Sequence, residues 1–228
     1  MPRPSLALAY VAIGAALIVV HAWLGVGSIG QTVVYELVGA SAMVAMVFGA
    51  WRYRPERRLP WILMAIGQAS FVCGDLLWDW YEAIGESPFP SLADVLYLAG
   101  YPFIGVGLLL LIRRRLGDGD RGGILDAAIL TTAAAIMSWT FIIQPQLTAS
   151  DLDPVSLAIS LAYPIGDLLL IGVAMGLLTA PGARTPSFLM LAASLVCLLV
   201  ADQIYAVQSL DETYVSGGPL DLVYLASY

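Results

Sequence analysis

Long apolar runs separated by short polar connections dominate the chain, and they are too long and too evenly apolar for half-buried strands or for the one-sided stripe of a soluble helix. A bilayer-spanning helix needs about 20 mostly apolar residues. Seven runs reach that length, over about 6–25, 31–51, 61–82, 92–112, 123–143, 154–178 and 187–208, and an eighth begins near Pro219 and stops at Tyr228. The pattern predicts an all-α, polytopic transmembrane bundle of tandem helical hairpins, forming one integral membrane domain over 1–228.

Composition agrees: 60% of the 228 residues are hydrophobic and 12% charged, where an ordinary soluble domain carries about 25% charged residues. All ten basic residues are arginines, Arg3, Arg52, Arg54, Arg57, Arg58, Arg113, Arg114, Arg115, Arg121 and Arg184, and they fall in alternate connections. The opposite connections carry Glu86, Asp151, Asp153, Asp211 and Glu212 with no basic residue. The positive-inside rule then puts the N-terminus in the cytoplasm of a cell whose plasma membrane the chain crosses several times. A net charge of -7 leaves no footprint for nucleic acid. The first run lacks a small-x-small cleavage site before "GVGSIG" and reads as a retained span. Cys73 and Cys197 lie inside spans, where cysteine behaves as a small hydrophobe.

Sliding the chain along itself until Asp75 falls on Asp202 also places Asp94 on Asp221, Tyr97 on Tyr224 and Tyr101 on Tyr228, with no gap. A shorter slide places Tyr101-Pro102 on Tyr163-Pro164. The repeat unit is one helical hairpin, with copies over approximately 1–60, 61–121, 122–185 and 186–228. On this reading the eighth span is half of the last hairpin, which predicts that the chain is a fragment of a longer protein and that its continuation emerges in the cytoplasm.

Several chemistries fall away. "GVGSIG" fits a dinucleotide fingerprint in letters only, since no strand precedes it. "GDGDRGG" opens like a calcium loop at Asp118 and Asp120 but has Ile129 where a bidentate Glu is needed. Without lysine there is no site for a retinal Schiff base, and the single histidine, His21, rules out a bis-histidine haem within this chain. His21, beside Trp23, reads as an interfacial residue. No cofactor and no metal site is predicted.

What remains is acidic. Glu36, Asp75, Asp79, Asp94, Asp167, Asp202 and Asp221 lie within or at the ends of spans, where an Asp at a helix centre costs about 2.5–3.5 kcal/mol on the insertion scale. With no intramembrane Arg or Lys, ion pairs cannot offset that cost. Asp94, Tyr97 and Tyr101 share a helical stripe, as do Asp221, Tyr224 and Tyr228, and Tyr163 stands one turn before Asp167. The candidate site is therefore Asp75, Asp79, Asp94, Tyr97, Tyr101, Tyr163, Asp167, Asp202, Tyr205 and Asp221, with Pro102 and Pro164 as helix kinks that free the carbonyls of Leu98 and Ser160. Two readings stand side by side: interhelical hydrogen bonds that set packing, or a site for a small ligand, a proton or a cation.

At "PSLADVLYLAGYPF", "SLAYPIGDLLL" and "GPLDLVYLASY" the chain resembles the multi-span N-terminal region of actinobacterial cyclic-di-GMP signalling proteins. That region precedes cytoplasmic GGDEF and often EAL domains, so the resemblance implies a sensory or anchoring domain, itself not an enzyme, with an output domain in cis as its partner and the bilayer as its solvent. A homodimeric assembly is compatible with it. The alternative is a small secondary transporter coupling protons or cations through the intramembrane carboxylates, since parallel repeats and proline-broken helices also serve transport.

Overall fold

Apolar runs of this length satisfy their backbone groups only by coiling on themselves, because hydrocarbon offers no hydrogen-bond partner. In the computed structural model, which describes residues 4–53, 58–112, 121–149, 152–179, 185–211 and 213–228, every regular element among the described residues is a helix. They are α1 (Pro4–Trp23), α2 (Ile29–Arg52), α3 (Leu59–Ala83), α4 (Leu92–Ile112), α5 (Arg121–Ser138), α6 (Gln144–Ala149), α7 (Pro154–Thr179), α8 (Pro186–Leu210) and α9 (Pro219–Ser227). A π-helical turn, Trp139–Ile143, joins α5 to α6. Pro145 explains that wider turn: it has no N–H to give, and its ring would press on the carbonyl four residues back in a regular helix.

Among the described residues six helices are long and apolar enough to cross a membrane: α2, α3, α4, the joined α5 and α6 over Leu125–Thr148, α7 and α8. The first expected span corresponds to α1, a further apolar helix. Leu169, Trp51 and Phe48 are more than half exposed, and such apolar side chains face outward because lipid is their solvent. Of the residues that set the predicted orientation, Arg3, Arg54, Arg57, Arg113, Arg114, Arg115, Asp151, Arg184 and Glu212 lie outside the described set, as do Asp118 and Asp120. "GVGSIG" is a turn running into α2, with Gly27 at φ +72° and Ser28 accepting from the Gln31 N–H as N-cap.

Without a hydrophobic drive between helices, close backbone approach supplies the packing energy. The α3–α4 hairpin achieves it through two glycines on each helix seven residues apart, Gly67 with Gly74 and Gly100 with Gly107, the spacing of a left-handed seam. A Cβ on Gly107 would lie 2.8 Å from the Pro60 carbonyl oxygen, and one on Gly67 3.0 Å from that of Gly100. A Cβ on Gly74 would meet the Tyr97 ring at 2.7 Å. Around the seam sit Met64, Phe71, Ile104 and Leu108, continuous with Leu170, Ala174, Leu195 and Leu199 of α7 and α8.

The helices α3 and α8 are equal in length, and the slide that carries Asp75 onto Asp202 carries both ends of α3 onto the ends of α8. The turns beyond them match as well: Glu86 N–H donates to Tyr81 O, and Thr213 N–H to Gln208 O. Where α3 and α4 use Gly67, Gly74 and Gly100, the α8–α9 pair has Ser194, Ala201 and Ser227, and the Ser194 hydroxyl donates to the Ser227 carbonyl. Small residues thus hold the corresponding places.

Candidate functional site

Four aspartates each accept a phenol from another helix. Tyr97 of α4 donates to Asp75 Oδ1 of α3 at 2.8 Å, and Tyr224 of α9 donates to Asp202 Oδ1 of α8 at 2.9 Å. The slide of the sequence that carries Asp75 onto Asp202 also carries Tyr97 onto Tyr224, so the two bonds occupy corresponding positions. Tyr101 donates to Asp167 Oδ1 at 2.7 Å and Tyr163 to Asp94 Oδ1 at 2.7 Å, a reciprocal exchange between α4 and α7. Gln203 Nε2 of α8 reaches Asp167 Oδ2 at 3.1 Å, and Tyr228 at the end of α9 reaches Asp75 Oδ2 at 3.0 Å.

Together the bonds form a closed circuit of five helices, running α3, α4, α7, α8, α9 and back to α3. Asp167 is 2% exposed and Asp94 8%, so the circuit lies inside the bundle, as intramembrane carboxylates should. The Asp94 Oδ2 atom also accepts from the Ser91 N–H at 2.7 Å and the Ser91 hydroxyl at 3.0 Å, capping the start of α4, while Asp221 accepts from the Gly217 N–H at 2.7 Å at the start of α9.

The stripes Asp94–Tyr97–Tyr101 and Tyr163–Asp167 do not pair along their own helices. Each phenol instead crosses to a neighbouring helix, because a side chain on a helix leans toward its N-terminus and a rigid ring carries its hydroxyl well past a partner one turn away. The stripe of α4 consequently serves two neighbours, α3 through Tyr97 and α7 through Asp94 and Tyr101. Pro102 and Pro164 sit within continuous helices, each directly after a donating tyrosine.

Three predicted members stand apart from the circuit, the first being Asp221, which is bonded within its own turn. Tyr205 stacks edge-on against Tyr214, with ring centroids 4.8 Å apart. Asp79 faces Glu36 of α2, whose two carboxyl oxygens are buried without a hydrogen-bond donor. His21, expected at the interface, is instead 1% exposed, with its ring 6.1 Å from that of Tyr35, because α1 ends against α2 and α9 rather than facing lipid there. Gln203 and Gln31 were missed by sequence reasoning centred on carboxylates and phenols; an amide inside or at the edge of a span is itself a signal.

Among the described residues no group of three or more His, Cys, Asp or Glu side chains is arranged to hold a metal ion. The arrangement joins five helices to one another by side-chain hydrogen bonds. Comparison with protein families, with curated proteins and with solved structures gives no match in any of the three.

Proposed function

We propose that this chain is the membrane-embedded sensory and anchoring domain of a bacterial signalling protein. It lies in the plasma membrane as tandem hairpins, with its N-terminus in the cytoplasm and the turns after α1, α3 and α8 outside, and it biases a cytoplasmic output domain that turns over a cyclic dinucleotide. The observation that carries this reading is the circuit of phenol–carboxylate bonds, closed between α7 and α8 by the Gln203 amide. It ties the outer starts of α4 and α9 to Asp167 near the middle of α7, so a change at one joint must be accommodated at the others.

At Asp75 and Asp167 both oxygens are engaged by protein donors, so neither is free to replace a cation's hydration shell; the alternative, a small secondary transporter, would have to work through Glu36, whose buried oxygens have no donor. The test is to express the complete reading frame and measure cyclic-dinucleotide formation and hydrolysis in membranes across external pH and cation concentration. Output that responds in the wild type and is lost in folded Asp75→Asn and Asp202→Asn proteins supports the reading. A frame encoding several further spans and no output domain, or variants with wild-type responses, overturns it.

A further inference from the structure

The α9 helix carries Tyr224, with Tyr228 following directly as its C-cap, so the circuit closes only while α9 keeps its place. What holds its outer end is a buried amide of α2. Gln31 is 4% exposed and uses both ends of its side chain: Oε1 accepts from the Gly27 N–H at 2.9 Å, and Nε2 donates to the Gly217 carbonyl at 2.9 Å. A longer contact joins Nε2 to the His21 carbonyl at 3.5 Å. Gly217 also donates its N–H to the Asp221 carboxylate, in the first turn of α9. One residue thus links α2 to α9, its carbonyl toward Gln31 and its N–H toward Asp221.

Gly217 suits that role for two reasons. Its φ of +77° lies in the left-handed region that favours glycine. A Cβ there would also overlap Gln31 Oε1 and lie 2.9 Å from the Gly27 nitrogen, so a side chain and the clasp cannot coexist. The comparison with α4 is informative. Asp94, the repeat equivalent of Asp221, is reached by Tyr163 of the next hairpin, whereas the turn at Asp221 is reached by Gln31 of the first.

We propose that Gln31 and Gly217 form an outer-face latch that seats α9, so that displacement of the turns at 24–28 or 213–218 releases Tyr224 from Asp202 and Tyr228 from Asp75. The outer surface then controls the intramembrane circuit through α9 alone, while the α4–α7 bonds stay formed. This inference takes its outer face from the proposed topology and otherwise rests on packing, independent of the output domain.

Hydrogen–deuterium exchange of the full chain in nanodiscs tests it, read by mass spectrometry on separate peptides. In Gln31→Leu and Gly217→Ala proteins, exchange at 222–228 should rise about tenfold through local opening of α9, with residues 96–108 unchanged. The double variant should open α9 no further than either single change, because both break the same joint. Gln68→Leu, at a buried amide of α3 away from this joint, controls for general loosening. Faster exchange confined to 24–31 and 213–218 would show that the clasp ties loops without seating α9 and would overturn the proposal. So would an equal rise over 96–108, or additive effects in the double variant.

Discussion

Replacing Tyr97 and Tyr228 by Phe, singly and together, asks whether Asp75 depends on its phenols. Each oxygen of that carboxylate receives one of them, Oδ1 from Tyr97 at 2.8 Å and Oδ2 from Tyr228 at 3.0 Å. Phe keeps the ring, and with it the Tyr97 contact against Gly74 and the edge-on Tyr228 contact with Tyr35; at Tyr97 the change removes a donor and little else, while at Tyr228 it also removes the hydroxyl partner of Tyr35. Interhelical hydrogen bonds in membranes average about 0.6 kcal/mol and reach about 1.7, while a buried acceptor left bare costs about 1–3. Each single variant should therefore lose about 1 kcal/mol, since the other phenol still solvates the carboxylate. The double variant bares both oxygens and should lose about 3 kcal/mol, giving a coupling of about 1 kcal/mol between residues that touch a common partner. Reversible unfolding in mixed micelles, with the denaturing detergent titrated and helicity followed by circular dichroism, measures all four corners of the cycle. Effects that add within about 0.3 kcal/mol, or single variants as stable as wild type, would mean that Asp75 does not depend jointly on these donors.

Three further outcomes follow from other parts of the molecule. Gly107→Ala should destabilise by about 1–3 kcal/mol, because the added carbon meets the Pro60 backbone oxygen, which cannot rotate aside; Gly49→Ala, with nothing within 4 Å, should be neutral or stabilising by up to about 1 kcal/mol in the same titration. Cysteines placed one at a time in a Cys-free background should be labelled from outside intact cells at Ser87→Cys and Asp151→Cys; labelling of Gly117→Cys instead would reverse the orientation. The cap at the start of α7 should weaken in acid: Asp153 accepts from the Val155 and Ser156 N–H groups and the Ser156 hydroxyl, bonds that hold its carboxyl below the usual range. Its contribution is present above the ordinary carboxylate pKa and lost as pH falls through the depressed one. Exchange at the amides of 155–158 should accelerate over that window in wild type, and an Asp153→Asn protein should lack the step.

The sequence alone determined that the chain is helical and lives in a membrane, because run length and the absence of charge are properties of single segments and hydrocarbon permits few backbone solutions. It also singled out the aspartates and the tyrosines one helical turn from them, since an uncompensated carboxylate in a span stands out in one dimension. Which phenol serves which carboxylate was decided by tertiary structure. Tyr163 lies one turn from Asp167 in sequence and bonds Asp94, while Tyr101 takes Asp167, because ring length and side-chain lean direct each hydroxyl to a neighbouring helix whose position no local pattern encodes. The glycines of the α3–α4 seam and the clasp of Gln31 on Gly217 share that character. Each acts through a partner brought alongside by the fold, across as many as 186 residues of chain in the case of Gln31, so its meaning exists only once the helices are packed.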